Sequence, residues 1–233
     1  MRLQKNLLKK KKNLIIVSRD ERDLTALKAD IEIKYNVKVE KIPLDFSSFN
    51  EINQKLLKEK MFQNLSGILF PVGFMHEKDN FDISEEDLKK LTFTNYLSIV
   101  HTINYARKCL NKQKLSIVGF GSVSGLIGRN LNMNYAAAKR SLESFFESMS
   151  FDEKLKDMNI QFYTLGYLDT NLAFGKDLIL PKGSTQKLAK IVYQNINVNL
   201  KKTFYPYFWN IIAVFLKLLP FLFLIKLYKI LIK

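Results

Sequence analysis

Five short apolar runs alternate along this chain with segments of helical periodicity, and this alternation constrains the fold more than any other feature. Strands that alternate with helices form βαβ units, which build a parallel sheet with helices on both faces. The predicted strands cover residues 13–18, 37–42, 67–72, 115–120 and 160–165. The predicted helices cover residues 20–35, 49–63, 85–110, 132–156 and 184–197. The sequence therefore predicts the α/β fold class with a doubly wound parallel sheet.

The composition is that of one folded domain without a metal or a disulfide. With 233 residues, of which 47% are apolar, the chain can bury one sizeable core. Its single cysteine, Cys109, has no partner for an internal disulfide, which is typical of a protein in the reducing cytosol. The sequence lacks the ligand spacing that a zinc site needs, so no metal is expected.

A strong positive charge points to an anionic partner. The net charge is +15, and the lysines are dispersed except at the two ends of the chain. Nucleic acid is one class of anionic partner, but no DNA- or RNA-binding motif accompanies the charge. We therefore expect no nucleic acid partner and interpret the charge as favouring an anionic membrane surface.

The most informative motif is a tyrosine and a lysine four residues apart, Tyr135 and Lys139, with Ser122 thirteen residues before the tyrosine. This spacing places the tyrosine and the lysine on one face of a helix, where the ammonium favours the phenolate and lowers the tyrosine pKa. A tyrosine tuned in this way can act as a general acid near neutral pH. Ser122 follows an apolar strand, so its hydroxyl is expected at the carboxyl end, where open α/β sheets bind ligands. A surface phenol packed along a lysine stem is the alternative for the pair.

This order of elements resembles the short-chain dehydrogenase/reductase family: a strand, the serine, a glycine-rich turn and then the helix. The resemblance covers roughly residues 5–200. The resemblance implies a Rossmann-like domain and an NAD(P)H-dependent oxidoreductase that transfers hydride between a nicotinamide and a carbonyl or carbinol carbon. It implies that Tyr135 supplies or removes the proton of the oxygen and that Lys139 also holds the nicotinamide ribose. It further implies that Ser122 hydrogen-bonds the substrate oxygen and that Asn95 positions a water that relays the proton. An exposed helix asparagine is the alternative for Asn95.

The resemblance also assigns residues that bind the cofactor, and Tyr135 and Lys139 are among them. Arg19 matches a position near the adenosine ribose, where arginine favours the 2′-phosphate, so NADP is expected over NAD. An ion pair with a neighbouring acidic residue at a helix start is the alternative for Arg19. Asp45 matches the acidic residue beside the adenine, or it caps the helix that follows. Gly73 keeps a position where the backbone passes close to the cofactor, and Thr170 matches a threonine that contacts the nicotinamide carboxamide.

The first strand and the glycine-rich phosphate loop of the family are missing from the sequence. Residues 1–12 look like the latter part of the helix that follows this loop. In the doubly wound order the missing strand is central, so its neighbours are expected to keep unpaired backbone groups and an uncovered core. Three explanations stay open: an internal methionine taken as the start, which we favour, a fragment, or a degenerate protein that no longer binds the cofactor.

The C-terminal segment, residues 204–226, is too apolar to stay in water without a partner. Its length approaches the roughly 20 residues of a membrane span, but Lys217 and Pro220 interrupt it. Aromatic residues around Trp209 and several lysines without an acidic residue are typical of an interfacial segment. We therefore expect a domain over residues 1–200 and a tail over residues 201–233 that lies on the cytoplasmic leaflet of a membrane. A tail that packs over the substrate cleft or at a subunit interface is the alternative.

The tail also resembles that of a subgroup of short-chain reductases, which includes the decaprenylphosphoryl-2-keto-ribose reductases of cell-envelope synthesis. This resemblance suggests a ketone on a lipid-linked or nucleotide-linked sugar as the substrate, in a cytoplasmic protein peripheral to the inner face of the membrane. A membrane-attached, non-catalytic binding protein that has lost its cofactor is the alternative function. Apolar residues on the helix from Asn132, among them Leu142 and Phe146, are compatible with the core or with a homo-oligomer.

Overall fold

The structure is a computed structural model that describes residues 12–109, 114–128, 130–155, 158–169, 180–199 and 202–231. Its strands are Leu14–Ser18 (β1), Val39–Pro43 (β2), Gly67–Phe70 (β3), Ser116–Ser122 (β4), Asn159–Leu165 (β5) and Thr203–Tyr205 (β6). Its α-helices are Glu21–Tyr35 (α1), Phe49–Glu51 (α2), Glu59–Phe62 (α3), Glu85–Thr92 (α4), Ser98–Cys109 (α5), Met133–Phe151 (α6), Thr185–Gln194 (α7), Trp209–Leu218 (α8) and Phe221–Leu231 (α9). Ile52–Leu56 and Phe93–Leu97 are π-helical turns, and Val123–Gly125 and Glu153–Leu155 are 3₁₀ turns.

The strands lie in two sheets in which every neighbouring pair is parallel. β1 pairs with β2 in one sheet, and the other sheet has the order β3-β4-β5-β6. The five predicted strands form as β1 to β5 with helices between them, which confirms the α/β class and the doubly wound arrangement. Within the described residues, β1 and β3 each keep one unpaired edge, as the sequence predicts for the neighbours of a missing central strand.

Apolar side chains cover both faces of the larger sheet. On one face, Ile117 of β4 packs in the same cluster as Phe146 of α6. On the other face, Val118 of β4 packs in a cluster with Leu188 of α7. Because β4 is buried on both sides, it is held firmly where it presents Ser122 at its carboxyl end.

The prediction of one continuous helix over residues 49–63 is wrong. α2 passes into the π-helical turn Ile52–Leu56, Leu57 leaves helical geometry with φ −81° and ψ 75°, and α3 begins at Glu59. Leu56 and Leu57 are both buried in the same core cluster. Adjacent residues of a continuous α-helix point about 100° apart, so the break lets both side chains reach the core.

The other predicted helices form with changes at their ends. The helix predicted over residues 85–110 is α4 and α5 joined by a π-helical turn. The helix predicted over residues 132–156 ends at Phe151, because Asp152 is extended with ψ 108°. The 3₁₀ turn that follows buries Leu155. If α6 continued instead, the Leu155 side chain would point in a different direction.

The C-terminal segment is divided between the sheet and two helices. β6 pairs in parallel with β5, so residues 203–205 add an edge strand that the sequence pattern did not reveal. α8 and α9 follow and are separated at Pro220. None of the helices described here has the length and apolarity that are needed to cross a membrane.

Candidate active site

Four of the residues singled out by the sequence meet at one large cavity. The cavity has a volume of roughly 2090 Å³, and its lining includes Gly73, Ser122, Tyr135 and Lys139. Ser122 ends β4 and Gly73 lies three residues after β3, so the cavity opens at the carboxyl ends of these strands. This is the edge of an open α/β sheet at which ligands bind.

Ser122 has its hydroxyl oriented by the turn that follows β4. Its Oγ accepts a hydrogen bond from the Ser124 backbone N–H at 3.2 Å and another from Ser124 Oγ at 2.7 Å. Both lone pairs of Ser122 Oγ are then used, so its own proton is left to donate to a ligand. The sequence reasoning missed Ser124, although a serine two residues further into a turn is a signal for such a bond.

Lys139 is a buried cation beside the candidate acid. Only 4% of its surface is exposed, and Nζ donates to the carbonyl oxygens of Val72 at 2.9 Å and Phe120 at 3.2 Å. The lysine thus bridges the carboxyl ends of β3 and β4, and its Nζ lies 5.9 Å from the centroid of the Tyr135 ring. Burial lowers the pKa of Lys139 to about 8, which leaves the side chain mostly protonated at neutral pH.

Tyr135 stands in the first turn of α6, and Asp79, from the loop after β3, holds this turn. Asp79 Oδ2 accepts from the Tyr135 backbone N–H at 2.8 Å, and Asp79 Oδ1 accepts from the backbone and side-chain nitrogens of Asn134 at 2.9 and 2.8 Å. Asn132, at the N-cap position, has φ 54° and makes no side-chain capping bond. Asp79, which is 2% exposed, therefore caps α6 from a distant part of the chain. The sequence reasoning missed it, because no local pattern links residues 55 apart.

Asn95 lies in the π-helical turn Phe93–Leu97 and is fully buried, so the alternative of an exposed helix asparagine is wrong. Its Nδ2 donates to the Phe74 carbonyl at 2.7 Å, and its Oδ1 accepts from the Phe74 N–H at 3.1 Å. A Cβ atom placed on Gly73 would lie 3.7 Å from Asn95 Oδ1 and 3.8 Å from Lys139 Nζ. Asn95 is therefore close to the lysine and fixes the backbone beside Gly73. π-helical turns of this kind are frequent at functional sites.

The residues predicted to meet the adenosine are not among the described residues that line the cavity. Arg19 is exposed and directly follows Ser18, which does line it. Asp45 Oδ1 accepts from a backbone N–H two residues further on at 3.0 Å, whereas Ser48 caps α2, so the helix-capping alternative for Asp45 is wrong. The roles of Arg19 and Asp45 stay predictions. Thr170 lies outside the described residues.

The first helix of the C-terminal segment packs against the loop that follows the candidate serine. Trp209 and Ala213 of α8 are buried in a cluster with Val123 and Leu126. Trp209 also covers Gly166, where an added Cβ atom would overlap the indole ring. Part of the tail therefore packs beside the cleft, and the glycine allows this close approach.

We expect replacement of Lys139 by methionine to change how stability depends on pH. Burial lowers the pKa of Lys139 to about 8 in the folded chain, whereas in the unfolded chain it is near the ordinary lysine value of 10.5, so between these values the unfolded chain binds more protons. The free energy of unfolding of the native protein should therefore rise with pH in this window relative to Lys139→Met. Urea unfolding at several pH values measures this difference. Lys190→Met, on the exposed face of α7, is the control, and parallel curves for the native protein and Lys139→Met would contradict the expectation.

One family and several curated proteins match the chain. The short chain dehydrogenase family matches residues 2–177. Hydroxysteroid 11-beta-dehydrogenase 1-like protein A of Xenopus laevis is 32% identical over 124 residues, which are 51% of this chain and 42% of that protein. Very-long-chain 3-oxoacyl-CoA reductase of Bos taurus is 25% identical over 205 residues, which are 86% of this chain and 65% of that protein. The chain thus spans less than two thirds of the length of either relative.

Solved structures share the fold. The short-chain dehydrogenase from Sphingobium yanoikuyae in complex with NADPH has a TM-score of 0.75 and 16% identity, over 88% of this chain and 82% of that one. A short chain dehydrogenase from Burkholderia cenocepacia J2315 in complex with NADP has a TM-score of 0.74 and 16% identity, over 86% and 88%. The family match over residues 2–177 includes β1 to β5 and the four residues that meet at the cavity. The chain belongs to the short chain dehydrogenase family.

Proposed function

We propose that the chain is an NADP(H)-dependent reductase of a lipid-borne ketone that works at a membrane surface. The observation that carries the proposal is the meeting of Ser122, Tyr135 and Lys139 at one cavity, with the lysine buried. A buried ammonium is costly unless another group compensates its charge. A phenolate that forms beside it during the reaction is such a group, so the arrangement favours the state that follows proton donation.

Each of the three side chains has its own task in the proposed reaction. The chemistry that a bound nicotinamide supplies is hydride transfer to the carbonyl carbon. Tyr135 donates the proton that the carbonyl oxygen gains, and the Lys139 ammonium, 5.9 Å from the ring centroid, stabilises the phenolate that remains. Ser122 donates a hydrogen bond to the same oxygen as its negative charge develops, because Ser124 already engages the serine lone pairs.

The residues that would hold the cofactor follow the carboxyl ends of the strands. Lys139 and Gly73 would contact the nicotinamide ribose, Thr170 the carboxamide and Asp45 the adenine. The described residues fit this use at the nicotinamide end, because Gly73 has no side chain between the cavity and Lys139 Nζ. In the described part of the chain, Lys139 Nζ donates to two carbonyl oxygens. An ammonium has three donors, so the remaining one can bond a hydroxyl of the ribose.

Arg19 favours NADP over NAD. It is exposed at the carboxyl end of β1, directly after the cavity residue Ser18. Its acidic neighbours have other partners, since Asp20 caps α1 through a backbone N–H at 3.0 Å and Glu21 pairs with Lys41 at 3.1 Å. The guanidinium can therefore turn to a 2′-phosphate, a group for which its geometry is well suited. The two similar solved proteins named above contain NADPH or NADP.

The exposed face of α8 and α9 fits a bilayer. Large apolar side chains project from both helices, and each exposes more than half of its surface: Ile211, Val214, Phe215, Leu218, Phe221, Leu222 and Phe223. Lys217 and Lys226 lie on the same helices, and no acidic residue does. An apolar face accompanied only by positive charge is typical of a helix that lies in the interface of an anionic membrane.

An apolar ketone carried in the bilayer is the substrate class that fits this arrangement. α8 carries part of the exposed apolar face, and on its other side Trp209 is buried against the loop after Ser122. The apolar face therefore lies close to the candidate site. Two relatives are named for a hydroxysteroid and for a very-long-chain 3-oxoacyl-CoA, both of which have large apolar bodies. We extend this class to ketones on lipid carriers, including a keto-sugar on a polyprenyl lipid. Turnover of water-soluble ketones but of no vesicle-borne ketone would contradict this assignment.

Titration with NADPH and NADH, followed by nicotinamide fluorescence, tests the proposed activity. We expect NADPH to bind more tightly than NADH and Arg19→Ala to weaken NADPH on the order of 10-fold, the value of one charge-assisted hydrogen bond. Arg22→Ala, which removes another exposed arginine at the start of α1, is the matched control and should leave both affinities unchanged. A folded chain that binds neither nucleotide would favour the second candidate, a non-catalytic binding protein. In the described part of the chain, β1 and β3 each have one edge without a paired strand, and this observation supports the second candidate.

Sedimentation with phosphatidylglycerol vesicles tests the membrane part separately. We expect Ile211→Ser combined with Phe215→Ser to lower the affinity at least ~10-fold, because each large apolar side chain contributes about 1.5–3 kcal/mol when it is buried. The matched control is Ile33→Ser on α1, since Ile33 is 86% exposed and Ile211 is 76% exposed. An equal loss of binding in the control, or no loss in the double variant, would show that α8 does not enter the bilayer.

A further inference from the structure

Tyr167 lines the cavity of the candidate site, and the proposed reaction gives it no task. It lies two residues after Leu165, which the parallel register places opposite Ser122. Tyr167 also packs in the same apolar cluster as Val123, the residue that follows Ser122. Tyr167 is therefore at the carboxyl edge of the sheet, where open α/β sheets bind their ligands.

The backbone around Tyr167 is fixed by hydrogen bonds to two other segments. The Gly166 N–H donates to the Tyr205 carbonyl oxygen of β6 at 2.8 Å, and the Tyr167 carbonyl oxygen accepts from the Gly183 N–H at 2.7 Å. Leu168 and Gly183 form a parallel bridge directly after it. A side chain on a backbone that is held in this way presents its functional group at a defined place, as recognition of a substrate requires.

Trp209 of α8 supports the ring of Tyr167. The two rings meet edge to face, with their centroids 6.2 Å apart and an angle of 71° between their planes. Trp209 is 7% exposed and lies over Gly166, and its Nε1 has no hydrogen-bond partner among the described residues. The indole is thus held by its shape and not by a polar contact, and it restrains the Tyr167 ring by packing.

The hydroxyl group of Tyr167 is available to a ligand. It makes no hydrogen bond to another residue that the structure describes. Apolar side chains precede and follow it in the cavity lining, among them Val123, Leu165 and Leu168. In a mostly apolar pocket, the few polar groups of the wall fix the orientation of the ligand and provide specificity. A phenol can donate one hydrogen bond and accept another, so a hydroxyl group of the ligand is a well-matched partner.

We propose that Tyr167 is a specificity-determining residue that hydrogen-bonds a hydroxyl group on the carbon next to the carbonyl group of the substrate. This inference rests on the proposed function. There, Ser122 and Tyr135 engage the carbonyl oxygen, so a third hydroxyl group that comes from the end of the neighbouring strand β5 serves an adjacent carbon. The preferred substrate is then a hydroxy ketone, as the keto form of a sugar is, and not a ketone without such a hydroxyl group.

The fluorescence of Trp209, the single tryptophan of the chain, measures binding beside Tyr167 without any turnover. The probes are a long-chain hydroxymethyl ketone and the methyl ketone of the same chain length. Each is titrated in phosphatidylglycerol vesicles with oxidised NADP present, and vesicles without ketone give the baseline. We expect the native chain to bind the hydroxymethyl ketone about 10-fold more tightly, the value of one hydrogen bond. Tyr167→Phe keeps the ring against Trp209 and should remove this preference by weakening the binding of the hydroxymethyl ketone alone.

Tyr193→Phe, which removes a phenolic hydroxyl group from the lining of the same cavity on α7, is the matched control and should keep the native preference. Three results would overturn the inference and leave the proposed function standing. They are equal binding of both ketones by the native chain, equal weakening of both by Tyr167→Phe, and a preference that survives in Tyr167→Phe. A native chain that binds neither ketone would refute the proposed function, and the inference would fall with it.

Discussion

Replacement of Tyr135 by phenylalanine is expected to lower kcat by about 10²- to 10⁴-fold, the contribution of a positioned general acid. The phenylalanine keeps the ring, so its packing at the start of α6 and the position of Lys139 Nζ, 5.9 Å from the ring centroid, are expected to stay. What is lost is the proton for the carbonyl oxygen. Steady-state reduction of a vesicle-borne ketone with NADPH measures the change.

Two further measurements separate loss of the acid from loss of the site. Tyr35→Phe, which removes a phenolic hydroxyl at the end of α1, is the matched control and should keep full activity. The Kd for NADPH should change little in Tyr135→Phe, because Lys139 and Gly73 stay in place and only one hydroxyl is removed. A Tyr135→Phe protein that keeps the native kcat would refute the assignment of the general acid.

Replacement of Asp79 by alanine is expected to lower both the stability and kcat. The change removes three hydrogen bonds to the first turn of α6, those from Tyr135 N, Asn134 N and Asn134 Nδ2. Loss of the helix cap and of the hydrogen bonds to the carboxylate should lower the free energy of unfolding by about 2–4 kcal/mol. Because the bonded residue is Tyr135 itself, we also expect kcat to fall about 10-fold or more while KM changes less.

The positioning role of Asp79 can be distinguished from a purely structural one. Asp79→Asn keeps an oxygen that can accept from the Tyr135 N–H, so it should recover part of kcat. Asp82→Ala, an exposed carboxylate in the same loop, is the control and should leave kcat and stability unchanged. If kcat of Asp79→Ala equals that of the native protein well below the unfolding temperature, Asp79 only stabilises the fold.

The parts of the fold and site that follow from local patterns could be predicted from the sequence. β1 to β5 are short apolar runs, and each forms within a few residues of its predicted bounds. Ser122, at a strand end, and Tyr135 and Lys139, four residues apart on a helix, meet at one cavity because these positions are fixed by periodicity and by the order of the elements.

The parts that were missed depend on contacts between distant residues. Asp79 has no local pattern that connects it with α6, and its role exists only once the loop after β3 has folded over the helix start. The break at Leu57 arises because two adjacent leucines share one core. β6 is a short strand inside an apolar run, and its pairing with β5 decides its conformation more than its own composition.

The packing of α8 has a thermodynamic consequence for the proposed enzyme. Trp209 rests on Gly166 and shares a cluster with Val123, the residue after Ser122, while Ile211 of the same helix faces outward. If a bilayer binds α8 as proposed, it contacts a helix that also packs beside the reaction site, so membrane binding and substrate binding would be coupled. Binding free energies coupled in this way are reciprocal, so a substrate analogue that binds more tightly on vesicles must strengthen attachment to them by the same factor.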